Sequence, residues 1–281
     1  MAEIPDLSDE QVSIYESRVE GFLADNESGE EVSITFDADP LGETYFLGGN
    51  NSPARSDRNG LIEATLQLSK SRAAQLLRAQ GSHYGWLSFH VHSSGTDQGK
   101  GQLRLIPNHG TSIISDIDDT IKITDILAGT AVEIRNTFFE AFKAVPGMAE
   151  FYNEYPQETA FHYVSGGPWQ LYSPLSEYLF SDAAGFPQGS FHMKNVRTNP
   201  FESESYLDII ELLAGRSEAT IKQKTAQIEQ LLLRFPQRKF ILIGDSGEDD
   251  PEIYETIAEQ FGEQIMEIKI RDVAKVRTSS P

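Results

Sequence analysis

The sequence predicts an α/β fold, a doubly wound and mostly parallel sheet over residues 108–281, preceded by a smaller β-sandwich-like domain over residues 1–107. Three observations carry this expectation. After Asn108, short apolar runs alternate with helical stretches, the rhythm of a sheet covered on both faces. Before Pro107 the text consists of short strands and turns, with two-residue alternation plain in "VSITFDA". A chain of 281 residues that is 39% hydrophobic is long enough for one large core or two ordinary ones.

In chain order, residues 1–11 read as a loose acidic lead-in. "SRVEGFLAD", "EEVSITFDA", "ETYFLGG", "LIEATLQLS", "YGWLSFHVHS" and "GQLRLIP" read as six short strands, with "RNG" as the turn into the fourth. "SRAAQLLRAQGS" is a short helix stopped by Gly81. His90 and His92 alternate along one strand without a third ligand at metal spacing and read as strand-face residues. Beyond Asn108, "TSIISDID" is a strand and "RNTFFEAFKAVPGMAEFYNEY" is helical. "TAFHYVS", a helix from Pro168 to about Leu179, and "GSFHMKNV" follow. "SEATIKQKTAQIEQLLLRF" sets Ile221, Ile228, Leu231 and Leu232 at helical spacing, and "KFILIGDS", a helix around "PEIYETIAEQF", and "IMEIKIRD" complete the pattern.

Charge excludes some partners. The net charge is −20, and residues 1–43 hold thirteen acids against the single base Arg18. Nucleic acid is not expected as a partner, because phosphate binding rests on clustered Lys and Arg. Broad adsorption to anionic membranes is disfavoured for the same reason, leaving at most peripheral contact. No apolar run reaches the ~18 residues a membrane span requires. "MAEIPDLSDEQ" lacks the basic, apolar and small-residue order of a signal peptide, and cysteine is absent, so the expectation is a cytoplasmic protein.

In open α/β sheets the site lies at the carboxyl ends of the strands. There the sequence places Asp116 and Asp118, then Ser165 with Gly166 and Gly167, then Gly244 and Asp245. Asp116, Asp118 and Asp119 crowd like charge into four positions, which demands a cation or a bound proton.

The pattern D-x-D-x-T at 116–120, strand-terminal Ser165, helical Lys224 and the G-D motif from Gly244 resembles the four motifs of the haloacid dehalogenase superfamily of phosphatases. "ISDIDDTIK", "YVSGGPWQLY", "GFPQG" and "RFPQRKFILIGDSGEDDPEIY" are similar to the actin-patch type of phosphatidate phosphatase, related to the lipin catalytic domain. The resemblance covers roughly residues 108–275. It implies a haloacid dehalogenase-like fold, a Mg²⁺ ion, and hydrolysis of phosphatidate to diacylglycerol and phosphate.

Phosphoryl transfer needs a nucleophile, an acid for the leaving oxygen, and positive charge around the phosphoryl group. Asp116 is the expected nucleophile, forming an aspartyl-phosphate, and Asp118 the expected acid and then base. Thr120 completes the first motif. Ser165 and the amide of Gly166 would bind phosphoryl oxygens, and Lys224 would add a fixed positive charge. Asp116, the backbone carbonyl of Asp118, and Asp245 would hold the Mg²⁺, with Asp250 as the further acid.

Alternatives stay open. Spacing leaves Asp249 and Asp250 equal; the resemblance selects Asp250, which also reads as the cap of the helix begun by Pro251. Lys224 stands against being a solvated helix residue like Lys222. Trp169 and Tyr172 read as core or site-wall aromatics, and Lys194 and Arg197 as either head-group contacts or an exposed strand end. Two other functions compete: a phosphatase of a soluble phosphomonoester, and a phosphatidate-binding module without turnover.

Overall fold

The structure, a computed structural model, describes residues 7–23, 28–49, 52–58, 60–93, 98–195 and 218–274. It divides into two compact units. The smaller spans Asp25–Pro107; the larger combines the N-terminal helix with the described residues from Asn108 onward. The boundary at Pro107 is where the sequence rhythm changes, but the first helix goes with the larger unit.

In the smaller unit, β1 (Val32–Phe36), β2 (Thr44–Phe46), β5 (Trp86–Ser93) and β6 (Gln98–Arg104) form an antiparallel sheet in the order β2-β1-β5-β6. β3 (Gly48–Gly49) and β4 (Ser52–Pro53) make a two-stranded ladder. The layer against the sheet is α2 (Lys70–Ala79): Leu76 is fully buried with Ile34, Phe36 and Leu87, and Leu77 packs on the same cluster. "LIEATLQLS" forms no strand; its Leu66 and Leu68 serve that core from an irregular segment. The expected sandwich is thus one sheet backed by a helix.

The larger unit opens with α1 (Asp9–Leu23), where a lead-in and a strand were expected. Its five parallel strands are β7 (Thr111–Ser115), β8 (Ala160–Pro168), β9 (Gly189–Lys194), β10 (Lys239–Asp245) and β11 (Ile265–Arg271), in the order β11-β10-β7-β8-β9. Alternate residues face opposite cores, as the pleat requires. Ile113, Ile241, Ile243, Phe161 and Tyr163 face a cluster with α1, α3 (Thr130–Phe138), α4 (Met148–Asn153) and α5 (Tyr172–Leu179). Ile114, Val164, Phe240 and Leu242 face α6 (Glu218–Arg234) and α7 (Asp250–Phe261). Both faces are covered, so the apolar runs of β7 and β10 need no polar alternation.

Strand order reverses at β7: β8 and β9 extend to one side, β10 and β11 to the other. The crevice between the ends of β7 and β10 is therefore the switch point, where such sheets bind their ligands. Asp116 follows β7 and Asp245 ends β10.

Candidate active site

The Asp116 amide donates to the Ile243 carbonyl at 2.9 Å, carrying the β7–β10 pairing one residue past the strand. The chain then folds into a tight turn in which the amides of Ile121 and Lys122 both donate to the Ile117 carbonyl at 3.0 Å. Asp119 locks this turn. It sits at φ 54°, a left-handed conformation that Asp tolerates better than most residues. Its carboxylate accepts from the amides of Thr124, Asp125 and Ile126 at 2.7–2.8 Å. Leaving such amides without an acceptor costs about 1–3 kcal/mol each, so Asp119 organises the loop and its charge is absorbed by the backbone.

Each neighbouring aspartate has its own lysine. Asp118 Oδ1 meets Lys122 Nζ at 2.7 Å and accepts from Thr124 Oγ1 at 2.6 Å. Burial alone would raise the Asp118 carboxyl, but Lys122 and Thr124 outweigh it and hold the group below the usual carboxylate range. Lys122 is buried and lies 5.2 Å from the Phe142 ring centroid.

Lys224, 2% exposed, reaches from α6 to Asp116 Oδ1 at 2.8 Å, Glu248 Oε2 at 3.1 Å and Asp250 Oδ1 at 2.5 Å. The solvated-lysine reading is excluded for Lys224; Lys222 instead pairs with exposed Glu218. Burial disfavours the Lys224 ammonium, yet Asp116, Asp250 and Glu248 raise its pKa well above the ordinary lysine value. Asp116, Asp245, Glu248 and Asp250 each offer an oxygen, all within 4.8 Å of one another. Burial lifts the Asp116 carboxyl well above its usual range, against the pull of Lys224 and with the push of Asp250. Burial and then Asp250 push Asp245 up to about 6, and burial, opposed by Lys224, pushes Glu248 up to about 7. One ammonium touches three of the four carboxylates.

Asp250 is fully buried and accepts from the Asp245 amide through Oδ2 at 3.2 Å, whereas Asp249 is only partly buried. The predicted capping role is corrected: Asp249 occupies the cap position and Asp250 is the first residue of α7, held by Asp245 and Lys224. Gly244 is required by the same arrangement, since a Cβ there would collide with the Asp250 carboxylate. Thr120 Oγ1 reaches Asp245 Oδ2 at 3.4 Å, and the Gly247 amide donates to Asp245 Oδ1 at 2.5 Å.

Ser165 Oγ accepts from the Gly167 amide at 3.0 Å and lies 3.5 Å from Asp118 Oδ2. A pocket beside Asp118 is lined on its polar side by Lys122, Ser165, Gly166 and Glu248 and on its apolar side by Ile126, Phe142, Leu171 and Leu175; Glu133 and Thr137 also border it. Lys122 and Glu248 escaped the sequence reading. The first stands four residues after Asp118 and the second sits in "GDSGEDD", where the choice lay between Asp249 and Asp250. Trp169 and Tyr172 pack together 5.6 Å apart, and Tyr172 meets Phe191. Lys194 Nζ reaches Thr220 Oγ1 at 3.4 Å, and Arg197 lies outside the described residues.

The carboxylate group fits a hard dication. Its donors are all oxygen, its charge exceeds that of the one lysine, and the buried Asp116 Oδ2 accepts no hydrogen bond from the described residues. No helix among the described residues is long and apolar enough to cross a membrane.

The sequence model of a family described as phosphatidate phosphatase APP1, catalytic domain, matches residues 111–272. The phosphatidate phosphatase APP1 of Saccharomyces cerevisiae is 36% identical over 167 residues, which is 58% of this chain and 26% of the yeast protein. An uncharacterized protein of Schizosaccharomyces pombe is 31% identical over 177 residues, 61% of this chain and 27% of its own. The chain thus matches about a quarter of the length of these relatives. A solved carbohydrate esterase structure, aligned over 86% of this chain and 77% of its own at 12% identity, reaches a TM-score of 0.22, too low to indicate a shared fold.

Proposed function

The chain belongs to the phosphatidate phosphatase APP1 catalytic-domain family, and from this premise we propose that it hydrolyses a phosphomonoester, phosphatidate before others, by covalent catalysis at Asp116. The observation that carries the reading is Asp116 itself: Lys224 holds Oδ1 at 2.8 Å while Oδ2 is buried at the switch point of the sheet without a hydrogen-bond partner among the described residues. The three strand-end motifs and the helical Lys224 support a haloacid dehalogenase-like fold for this unit.

Lys224 fixes the Asp116 carboxylate, leaving Oδ2 to form the bond to phosphorus as the bond to the leaving oxygen breaks. Asp118, bordering the pocket, gives that oxygen a proton; its lowered pKa means the proton must be gained on substrate binding. Asp118 then takes a proton from water, whose oxygen attacks phosphorus and returns Asp116 as a carboxylate with release of phosphate. Ser165 and the Gly166 amide, both bordering the pocket, would hold phosphoryl oxygens. Mg²⁺, held by Asp116, Asp245 and Asp250 with Glu248 beside them and the Asp118 carbonyl as a further ligand, would neutralise charge on the phosphoryl group. The apolar wall of Ile126, Phe142, Leu171 and Leu175 favours a leaving group with hydrocarbon character.

The test is phosphate release from dioctanoyl phosphatidate in micelles beside a panel of soluble phosphomonoesters. Phosphatidate should be the fastest, chelation should silence the enzyme, and Mg²⁺ but not Ca²⁺ should restore it, because calcium's longer bonds misplace the ligands. Asp116→Asn should keep the fold and lose at least ~10³-fold in rate. Near-wild-type turnover by that variant sinks the covalent mechanism, and faster hydrolysis of a soluble ester moves the substrate.

A further inference from the structure

Helix α1 precedes the family-matched stretch, which begins at residue 111, yet it is part of the same compact unit as the site. One stripe of α1 grips the segment 136–142 at successive turns. Gln11 Nε2 donates to Glu140 Oε1 at 3.0 Å, and Tyr15 stacks on Phe139 with centroids 4.9 Å apart and planes 8° from parallel. Arg18 Nη1 donates to the carbonyls of Thr137 at 2.6 Å and Asn136 at 3.4 Å. Its guanidinium carbon stands 3.6 Å from the Phe142 ring centroid. Phe22 meets Phe138 with centroids 6.0 Å apart. Positions 11, 15, 18 and 22 follow the 3.6-residue period of one helix face.

Arg18 is 5% exposed, a burial that costs heavily unless its donors find acceptors. The acceptors here are carbonyls in the last turn of α3, the end where the helix dipole favours a cation, and the flat guanidinium lies on an aromatic ring. Both Thr137 and Phe142 border the pocket beside Asp118. Gly21 brings α1 against the backbone of Gln170, where a Cβ would stand 2.6 Å from the carbonyl oxygen, next to pocket-lining Leu171.

We propose that Arg18 is a positioning residue: through it, α1 sets the Thr137–Phe142 wall of the pocket and thereby decides which leaving groups the site accepts. The selectivity half rests on the phosphatase reading; the wall-setting half does not. Lysine cannot substitute, because it lacks the planar fork that meets two carbonyls and covers a ring.

The test uses the full chain with Arg18→Met, Arg18→Lys and Phe142→Ala, read by amide hydrogen exchange and by kinetics on dioctanoyl phosphatidate and p-nitrophenyl phosphate. Arg18→Met and Arg18→Lys should speed exchange in 134–142 by ~10-fold or more while β10 keeps its protection. Both should lower kcat/KM for phosphatidate by ~10-fold or more, chiefly through KM, and leave the small ester within about twofold, since small misplacements of a substrate wall are costly. Phe142→Ala, which leaves the Arg18 hydrogen bonds in place, should lower kcat/KM for phosphatidate by a similar factor. Unchanged exchange in 134–142 overturns the wall-setting role. Equal losses on both substrates, or rescue by lysine, overturn the selectivity role. A wild type inactive on every phosphoester defeats the phosphatase reading and the selectivity half with it, while the exchange result still decides the wall.

Discussion

At the scale of single residues, the three crowded aspartates are resolved by three different partners. Asp119 spends its charge on backbone amides, Asp118 on Lys122, and Asp116 on Lys224. A cation was expected from the crowding, but two of its sources were lysines in the chain itself, one of them four residues from Asp118. The strand-end residues were legible because a parallel sheet directs its carboxyl ends at the ligand. Glu248 was not, because its place depends on how the turn after β10 folds back toward Lys224. The choice between Asp249 and Asp250 now has a geometric basis. Asp250 is buried against Lys224 and Asp245, while Asp249 keeps partial exposure. Asp250→Asn should therefore raise the Mg²⁺ concentration for half-activity by ~10-fold or more, as loss of metal-shell partners does, and Asp249→Asn should leave it nearly unchanged. A titration of activity against Mg²⁺ on the two variants decides it, and the reverse ranking would move the role to Asp249.

At the scale of elements, the alternating strands and helices after Asn108 were legible because each strand is buried on both faces and each long helix carries a clear apolar stripe. "SRVEGFLAD" was misread because the strand reading passed over the helical spacing of Val19 and Phe22, three apart, which pack together on the core of the larger unit. "LIEATLQLS" alternates like a strand but finds no sheet partner. On β9, His192 is partly buried, with Nε2 2.9 Å from Ser190 Oγ. Burial first, and then the charge of Arg234, lowers its pKa to about 4. A histidine depressed in the fold costs nothing above its unfolded value near 6.5, and stability drains as pH falls from there toward 4, because the unfolded chain binds the proton sooner. Denaturant unfolding at pH 7 and pH 4.5 should show His192→Gln losing about 1–2 kcal/mol less than the wild type across that interval, a figure discounted for partial exposure. An identical pH slope in both proteins would remove His192 from the acid response.

At the scale of the whole molecule, the smaller compact unit ends at Pro107, and the larger unit is built from two separated pieces of chain. A chain begun at Asn108 looks adequate from the motifs alone, since every proposed catalytic residue follows it. The structure argues otherwise: Phe22 and Arg18 are buried in that unit, and their loss opens a cavity in its larger core. Such a truncated chain should be less stable by about 3 kcal/mol or more, as removal of one large core side chain already is, measurable as a lower urea midpoint. An unchanged midpoint would mean α1 contributes nothing to the fold. The same split arrangement sets a timetable for biosynthesis. The ribosome delivers α1 more than a hundred residues before the α3 segment that it must grip, and at 5–20 residues per second that interval lasts on the order of ten seconds. Through it, the stripe of Tyr15, Arg18 and Phe22 has no docking partner. The compact 25–107 unit emerges before the α3 segment does, and the larger unit closes later around a helix made well ahead of it.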